Sequence, residues 1–468
     1  MKRPDVSKQE LFATVPVAQA LFAMAIPTVI SQLINLIYNV VDTFFIGRTG
    51  NSYMIAATSL TLTIVLLNIA LSNLFGVGAG SLVARLMGRG EPEQAKCAGA
   101  FGFYGAFAAA LLYSSVIGLF LEPILRFLGA SDATIGYARS YALIVVVFGS
   151  LPSVLSLTLA HLLRNAGYSG RASMGLSVGG ILNAALDPLF MFVLMPKGRE
   201  VTGAALATML SNTIACLYLL LAYRRACGEA PLSMDLRAAL KLKPKNIRAL
   251  FGVGIPSAIL TGLFDLANVC VNILAAAHND FVLAAMGIVM KVERVPNAIN
   301  IGICQGMLPI VAFNYSSGNH VRMRDVIRAG RRAGLLVAFA SIALLETFAS
   351  PFSRLFINTS ADHAETALIT LGFCTLFLRI RCLASPVQFI NYHTSYCMQA
   401  MGNGVATMLH ACVRELVFYI PFMFLLDRLF GAVGLAAAMP VGEAFGAAFA
   451  LWLLHRSLKP HKADLLPQ

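Results

Sequence analysis

Residues 16–46 read PVAQALFAMAIPTVISQLINLIYNVVDTFFI, thirty-one positions with one charged side chain, Asp42. About 20 predominantly apolar residues suffice for a helix to cross the hydrocarbon core of a bilayer. The stretch is too long for the apolar segment of a secretory leader, and residues 1–10 before it are polar, so no cleavable signal is expected. It is expected to be a transmembrane helix, and its polar residues then need a reason to be there.

Working outward, the same reading predicts twelve spans, near 16–46, 54–86, 97–121, 134–163, 171–195, 202–223, 249–277, 281–313, 327–349, 364–400, 403–426 and 432–455. The one long polar interruption is 224–248. The expected fold is an all-α integral membrane protein of twelve transmembrane helices in two pseudo-symmetric six-helix bundles. An N-lobe occupies 1–223, a cytoplasmic linker 224–248 and a C-lobe 249–468. Composition agrees: of 468 residues 58% are hydrophobic and 12% charged, whereas soluble domains carry about 25% charged residues. Disordered, collagen-like and disulfide-stapled classes are excluded on the same grounds. The nine cysteines are scattered, with no C-x-x-C pair, and read as small packing residues.

The net charge of +13 comes from 35 Lys and Arg against 22 Asp and Glu. Placed by span, 23 of the 35 fall in the terminal tails and the loops on their side, 7 fall on the opposite side, and 5 lie within spans. That asymmetry predicts a multi-pass protein of the cytoplasmic membrane with both termini in the cytoplasm. It also accounts for the positive charge without a nucleic-acid partner.

The two halves match at a nearly fixed offset. Ile26-Pro27-Thr28 aligns with Ile255-Pro256-Ser257, Gly90 with Gly318, Arg126-Phe127-Leu128 with Arg354-Leu355-Phe356, Pro152 with Pro386, Pro188 with Pro421, and Gly203 with Gly434. Six spans per half give both halves the same orientation in the bilayer. The expected symmetry is a pseudo-twofold along the membrane normal, with a cavity between or within the bundles, which is transporter architecture.

A charged residue at the bilayer centre costs about 2.5–3.5 kcal/mol on insertion scales. Asp42 shares one helix face with Asn35 and Asn39 at i, i+4, i+7, and Gln32 extends it. Asp187 stands before Pro188, one turn above Asn183. One reading makes Asp42 and Asp187 a carboxylate pair that takes up a proton or, with Asn and Thr oxygens, a sodium ion. The other places Asp42 at the outer water interface near Arg48 and has Asp187 satisfy backbone freed by Pro188. In the second half stand Asp265, Lys291, Glu293, Arg294, Glu346, Arg379, Arg381, Arg414, Glu415 and Glu443. Lys291 and Arg294 are expected to neutralise Asp265 or Glu293, or else these four line a polar cavity. Gly76-Val-Gly-Ala-Gly80 and Gly302-Ile-Cys-Gln-Gly306 have the pattern of tight helix crossings, not of a phosphate-binding loop. His161, His393 and His410 are isolated, no metal spacing or catalytic triad is visible, and no enzyme activity is expected.

Three strings carry a family likeness. Pro27…Gln32-Leu33…Tyr38-Asn39-Val40-Val41-Asp42-Thr43-Phe44-Phe45-Ile46-Gly47, Asn183-x3-Asp187-Pro188 and Gly302-Ile-Cys-Gln305-Gly306-Met-Leu-Pro309…Asn314-Tyr315 resemble the first, fifth and eighth helices of the MATE (multidrug and toxic compound extrusion) transporters. The resemblance covers nearly the whole chain. It implies alternating access, in which amphipathic or cationic small molecules leave while sodium or protons enter, with no cofactor beyond the coupling ion. It implies an N-lobe cation site at Asp42, Asn183 and Asp187, with Thr208 as a fourth member. Gln32, Asn35, Tyr38 and Asn39 are then candidates for the cavity wall. Where some branches carry a glutamate in the seventh helix this sequence has Phe264, with Asp265 about 100° further around the helix. The protein is expected to act as a monomer whose partners are its substrates and the lipid bilayer. Two rivals share parts of this pattern. A flippase for lipid-linked saccharides would need a strongly cationic cavity, so convergence of Lys291, Arg294, Arg379, Arg381 and Arg414 on one site separates the two. A polytopic membrane enzyme would need a nucleophile or metal constellation.

Overall fold

The computed structural model describes residues 8–356 and 364–458. Lys2, Arg3, Lys459 and Lys462, counted above with the tails, lie outside them. Among the described residues no strand occurs. Eight helices are long and apolar enough to cross a membrane, and two bent pairs, Ile135–Phe148 with Ser150–Asn165 and Thr366–Cys382 with Ser385–Met401, raise the number to ten. Gly431, at φ 59° and ψ −146°, divides the continuous stretch Gly404–Leu458 into two. His320–Thr347, whose first turns carry five arginines, completes twelve.

These spans are α1 (Val17–Arg48), α2 (Ser52–Gly88), α3 (Pro92–Leu119), α4 (135–165), α5 (Ser169–Leu194), α6 (Glu200–Ala226), α7 (Pro244–His278), α8 (Asp280–Ser316), α9 (His320–Thr347), α10 (364–401), α11 (404–430) and α12 (432–458). The polar interruption at 224–248 is shorter than its composition suggests. α6 runs to Ala226, a short helix spans Leu236–Leu240, and α7 starts at Pro244, because Pro is well placed at a first helical turn. α9 likewise begins seven residues before the expected 327, its arginines extending into water.

The internal repeat is visible at the level of single bonds. Beside Pro27 the Thr28 hydroxyl donates to the Met24 carbonyl (2.9 Å), and beside Pro256 the Ser257 hydroxyl donates to the Val253 carbonyl (2.8 Å). α3 and α9 both end at a phenylalanine, Phe120 and Phe348, that breaks the helix with near-identical dihedrals, and each leads into a short helix, Leu121–Phe127 and Ala349–Phe356. Gly90 and Gly318, at φ 72° and 77°, terminate α2 and α8 in the left-handed conformation that favours glycine.

Among the described residues four π-helical turns are not legible from periodicity: Asn73–Val77, Leu143–Phe148, Leu189–Leu194 and Val413–Tyr419. Such turns release backbone pairing and concentrate at functional positions. Here they carry Asn73, Arg414 and Glu415, and follow Asp187-Pro188.

Among the described residues one large core joins the two halves, a second and a small one belong to the C-terminal half, and two smaller ones to the N-terminal half. The bonds between halves sit towards the Arg- and Lys-rich loops. Ser81 donates to the Gln399 carbonyl (2.7 Å), and Asn314 and Arg322 donate to the Phe12 carbonyl (3.0 and 2.8 Å). Gly302 and Gly306 let α8 touch the α1 backbone: a Cβ on them would stand 2.7 Å from the Val29 Cα and 2.6 Å from the Ala25 Cα. The halves are therefore sealed on the Arg- and Lys-rich side, and the space above that seal is a cleft.

Candidate functional site: a cleft leading into the first helix bundle

The floor of the cleft is a polar layer between the halves. Gln32 on α1 donates to Gln305 on α8 (3.2 Å), Gln305 donates to the Tyr396 hydroxyl (3.4 Å), and Asn73 donates to the Thr261 hydroxyl (2.9 Å). Above this layer lies a cavity of about 400 Å³. Its wall takes Gln32, Asn35, Tyr38, Asn39 and Asp42 from α1, as helical spacing requires of one face. Asn183, Thr208 and His161 border it too; among the described residues no Lys or Arg does, and Asp42 is the one carboxylate on the wall. A low-dielectric cavity with a single carboxylate concentrates cations.

At the inner end of the cleft the four residues of the expected cation site meet. The Asn183 amide nitrogen donates to Asp187 Oδ1 and to Thr208 Oγ1, both at 3.2 Å. Asp187 is fully buried and Asn183 nearly so. The Asp42 and Asp187 carboxyl groups are close enough to influence each other electrostatically. Three oxygens are left without a donor: Asp42 Oδ1, Asp187 Oδ2 and Asn183 Oδ1. Buried acceptors of this kind carry a full desolvation cost unless a proton or cation is shared among them. Thr208 and three side-chain oxygens form a shell of the hard-ligand type that small cations take. Among the described residues no cluster of three or more His, Cys, Asp or Glu suits a transition metal.

Arg48 makes no ion pair with Asp42 among the described residues; its guanidinium lies 5.9 Å over the Phe44 ring. Asp187 receives its one hydrogen bond from a side chain, not from backbone freed by Pro188. The Asn39 amide turns back to the Asn35 carbonyl (2.6 Å), so Asn39 stiffens α1 at the level of the cleft.

Sequence reading missed Tyr141, Asn68 and Asn212, which also border the cleft. The signal for Asn68 was present: an amide inside an apolar run, as for Asp42. It is 1% exposed and neither amide atom has a partner. Of the isolated histidines, His161 lines the cleft. His393 is held by the Ile327 carbonyl (3.0 Å), and His410 is held between Ser395 (2.8 Å) and Asn391 (3.0 Å).

The second bundle is organised differently. Glu293 is neutralised not by Lys291 or Arg294 but by Arg381 of α10, through a buried two-pronged pair at 2.9 Å on each prong. The reason is geometric: Lys291 and Arg294 lie on exposed parts of α8, whereas Glu293 faces inward towards α10. Arg414 makes the same fork with Glu443 and stands 3.5 Å from Glu415. Asp265 feels Arg294 electrostatically without an ion pair to it, and neither Asp265 nor Lys291 borders the larger cleft or the small cavity of this bundle. That cavity, about 40 Å³, is bordered by Glu293, Arg294, Arg381, Arg414, Glu415 and Glu443, three cations against three carboxylates. Arg379 pairs elsewhere, with Glu346 (3.6 Å). The five basic residues therefore do not converge on a strongly cationic cavity.

The family model MatE matches residues 27–189 and 256–425, one segment in each half. Two curated relatives are full-length matches. The multidrug export protein MepA of Staphylococcus saprophyticus is 27% identical over 454 residues, covering 96% of this chain and 97% of its own. MepA of Staphylococcus aureus is 29% identical over 460 residues, covering 97% and 98%. Among solved structures, the outward-facing conformation of a multidrug resistance MATE family transporter superposes with a TM-score of 0.88 at 21% identity. That superposition covers 98% of this chain and all of the other.

Proposed function

The chain belongs to the MATE (multidrug and toxic compound extrusion) family of membrane transporters, and from that premise we propose that it exports amphipathic or cationic small molecules in exchange for sodium ions or protons. The observation that carries this reading is the set of three donorless oxygens on Asp42, Asp187 and Asn183, at the end of a cleft that no Lys or Arg borders. A metal cation there serves all three oxygens and a proton shared between the carboxylates serves two, and a cationic substrate in the cleft competes with either for the same negative charge. The relatives described as multidrug export proteins support the substrate class.

The cycle uses the chain's own residues. In the state described here the seal of α1 against α8 is closed on the Arg- and Lys-rich side, which the charge asymmetry assigns to the cytoplasm. A cation entering from the opposite side neutralises the Asp42 and Asp187 pair, α1 bends near Pro27, and the cargo leaves. Opening the seal at Gly302 and Gly306 then releases the cation inward and admits new cargo. For a neutral solute the energy suffices, since one charge moving through 100 mV is worth about 2.3 kcal/mol and tenfold accumulation costs about 1.4 kcal/mol; for a monocation exchanged one for one the charge movements cancel, and the ion's concentration gradient supplies the drive.

The test is counterflow in lipid vesicles containing the purified protein. A cationic dye gradient is expected to drive sodium or protons the opposite way, with the ion identified by which gradient collapses. Dye crossing with no counter-movement of either ion overturns the proposal.

A further inference from the structure

A groove lies on the outside of the N-terminal bundle, where the segment after α6 is strapped against α3. Two charges mark the headgroup level there. Lys96 is the last charged residue of α3 before an uncharged run to Leu119, and Arg224 is the first after the uncharged run 201–223 of α6. From Arg224 the chain turns back rather than leaving. The Tyr223 hydroxyl donates to the Ser233 carbonyl (3.3 Å), and the Tyr104 hydroxyl donates to the Met234 carbonyl (2.8 Å). Tyr104 is twelve residues into α3, about 18 Å along the helix at 1.5 Å per residue, well past Lys96. Gly99 makes the strap fit, since a Cβ there would lie 2.8 Å from the Tyr223 hydroxyl and 3.2 Å from Leu232.

Irregular backbone at that depth needs polar partners, which the two tyrosines supply. What the strap leaves beside it is a groove of about 610 Å³. Lys96 and Arg224 line it together with Leu220, Leu221, Leu232 and Met234. Arg224 has no ion pair among the described residues, and Lys96 has only the exposed Glu93 (2.8 Å), a type of pair worth little. Leu221 is 59% exposed. Two basic groups over an apolar wall, at the level where helices leave the bilayer, match a phosphate headgroup with its acyl chains below. A free phosphate would leave the leucine walls unused. We propose that this groove binds an anionic phospholipid of the Arg- and Lys-rich leaflet and fixes the strap between α6 and α7.

The test is native mass spectrometry of the full-length protein in detergent with phosphatidylglycerol, phosphatidylcholine or inorganic phosphate. Retained phosphatidylglycerol is expected in preference to phosphatidylcholine. Lys96→Gln and Arg224→Gln should each weaken it about fivefold, the effect of removing one basic group at a membrane surface. Arg224→Lys should keep binding, which separates loss of charge from misfolding. Lys243→Gln and Lys245→Gln, basic positions outside the groove, should leave it unchanged. Equal retention of both lipids, equal weakening by the outside pair, or displacement of phosphatidylglycerol by inorganic phosphate overturns the proposal.

Discussion

Replacing Gly306 by valine tests whether the α1–α8 seal sets the conformational balance. A Cβ at Gly306 would sit 2.6 Å from the Ala25 Cα and 2.7 Å from its nitrogen, both backbone atoms that no rotamer change can move. Carbon atoms normally rest about 3.5–4.0 Å apart, so α1 and α8 must separate by about 1 Å. Overpacking of this kind costs about 1–3 kcal/mol, and the penalty falls on the state in which the seal is closed. The balance should therefore shift towards the state open on the Arg- and Lys-rich side by roughly 5- to 150-fold. Spin labels at Arg48 and Arg428, one exposed position at the far end of each half, report the shift in a cysteine-free background. The label separation should move to a shorter population in Gly306→Val and stay unchanged in Gly287→Val, where a Cβ meets open space. An unaltered distance distribution in Gly306→Val would refute the reasoning.

Other consequences follow from single contacts. Arg381→Leu or Glu293→Leu alone strands a buried charge and should cost about 3–5 kcal/mol, while the double variant should be nearly neutral. Melting curves in detergent decide it, and single variants as stable as the parent contradict the pairing. Gly402→Ala forces a side chain into a left-handed residue at φ 80° against the Arg85 guanidinium. It should lose about 1–2 kcal/mol, read as a lowered melting temperature. Asn183→Ala removes the Oδ1 acceptor left free for a cation; at about 1.5–3 kcal/mol for a polar contact to a charged group, a sodium ion should be needed at about 10- to 150-fold higher concentration to activate efflux.

Much of this arrangement was legible in the chain because membrane physics leaves few options. A lone charged residue in thirty-one mostly apolar positions has to face protein or water, and helical spacing then fixes that Gln32, Asn35 and Asn39 share its side. The paired Pro27 and Pro256 segments announced the repeat, and each makes the same hydroxyl-to-carbonyl bond. Charge pairing in the second half was not legible. Glu293 stands next to one arginine and two residues from a lysine, yet its partner is Arg381, 88 positions away, because partner choice depends on which helix faces which. The π-helical turns escaped for a related reason. They shift register by one residue without changing composition, so no local pattern marks Asn73 or Glu415. The division at Gly431 is the converse case, where one glycine in a left-handed conformation ends α11 inside an unbroken apolar stretch.

The central claim is that the Asp42 and Asp187 pair couples ion entry to export. Its most direct test is efflux of a fluorescent cationic dye from cells expressing the parent protein, Asp42→Asn or Asp187→Asn, under an imposed sodium or proton gradient. Gradient-driven efflux is expected from the parent and its loss in both variants, with each protein present in the membrane. Gradient-driven efflux that persists in both would contradict it and move coupling to the second bundle.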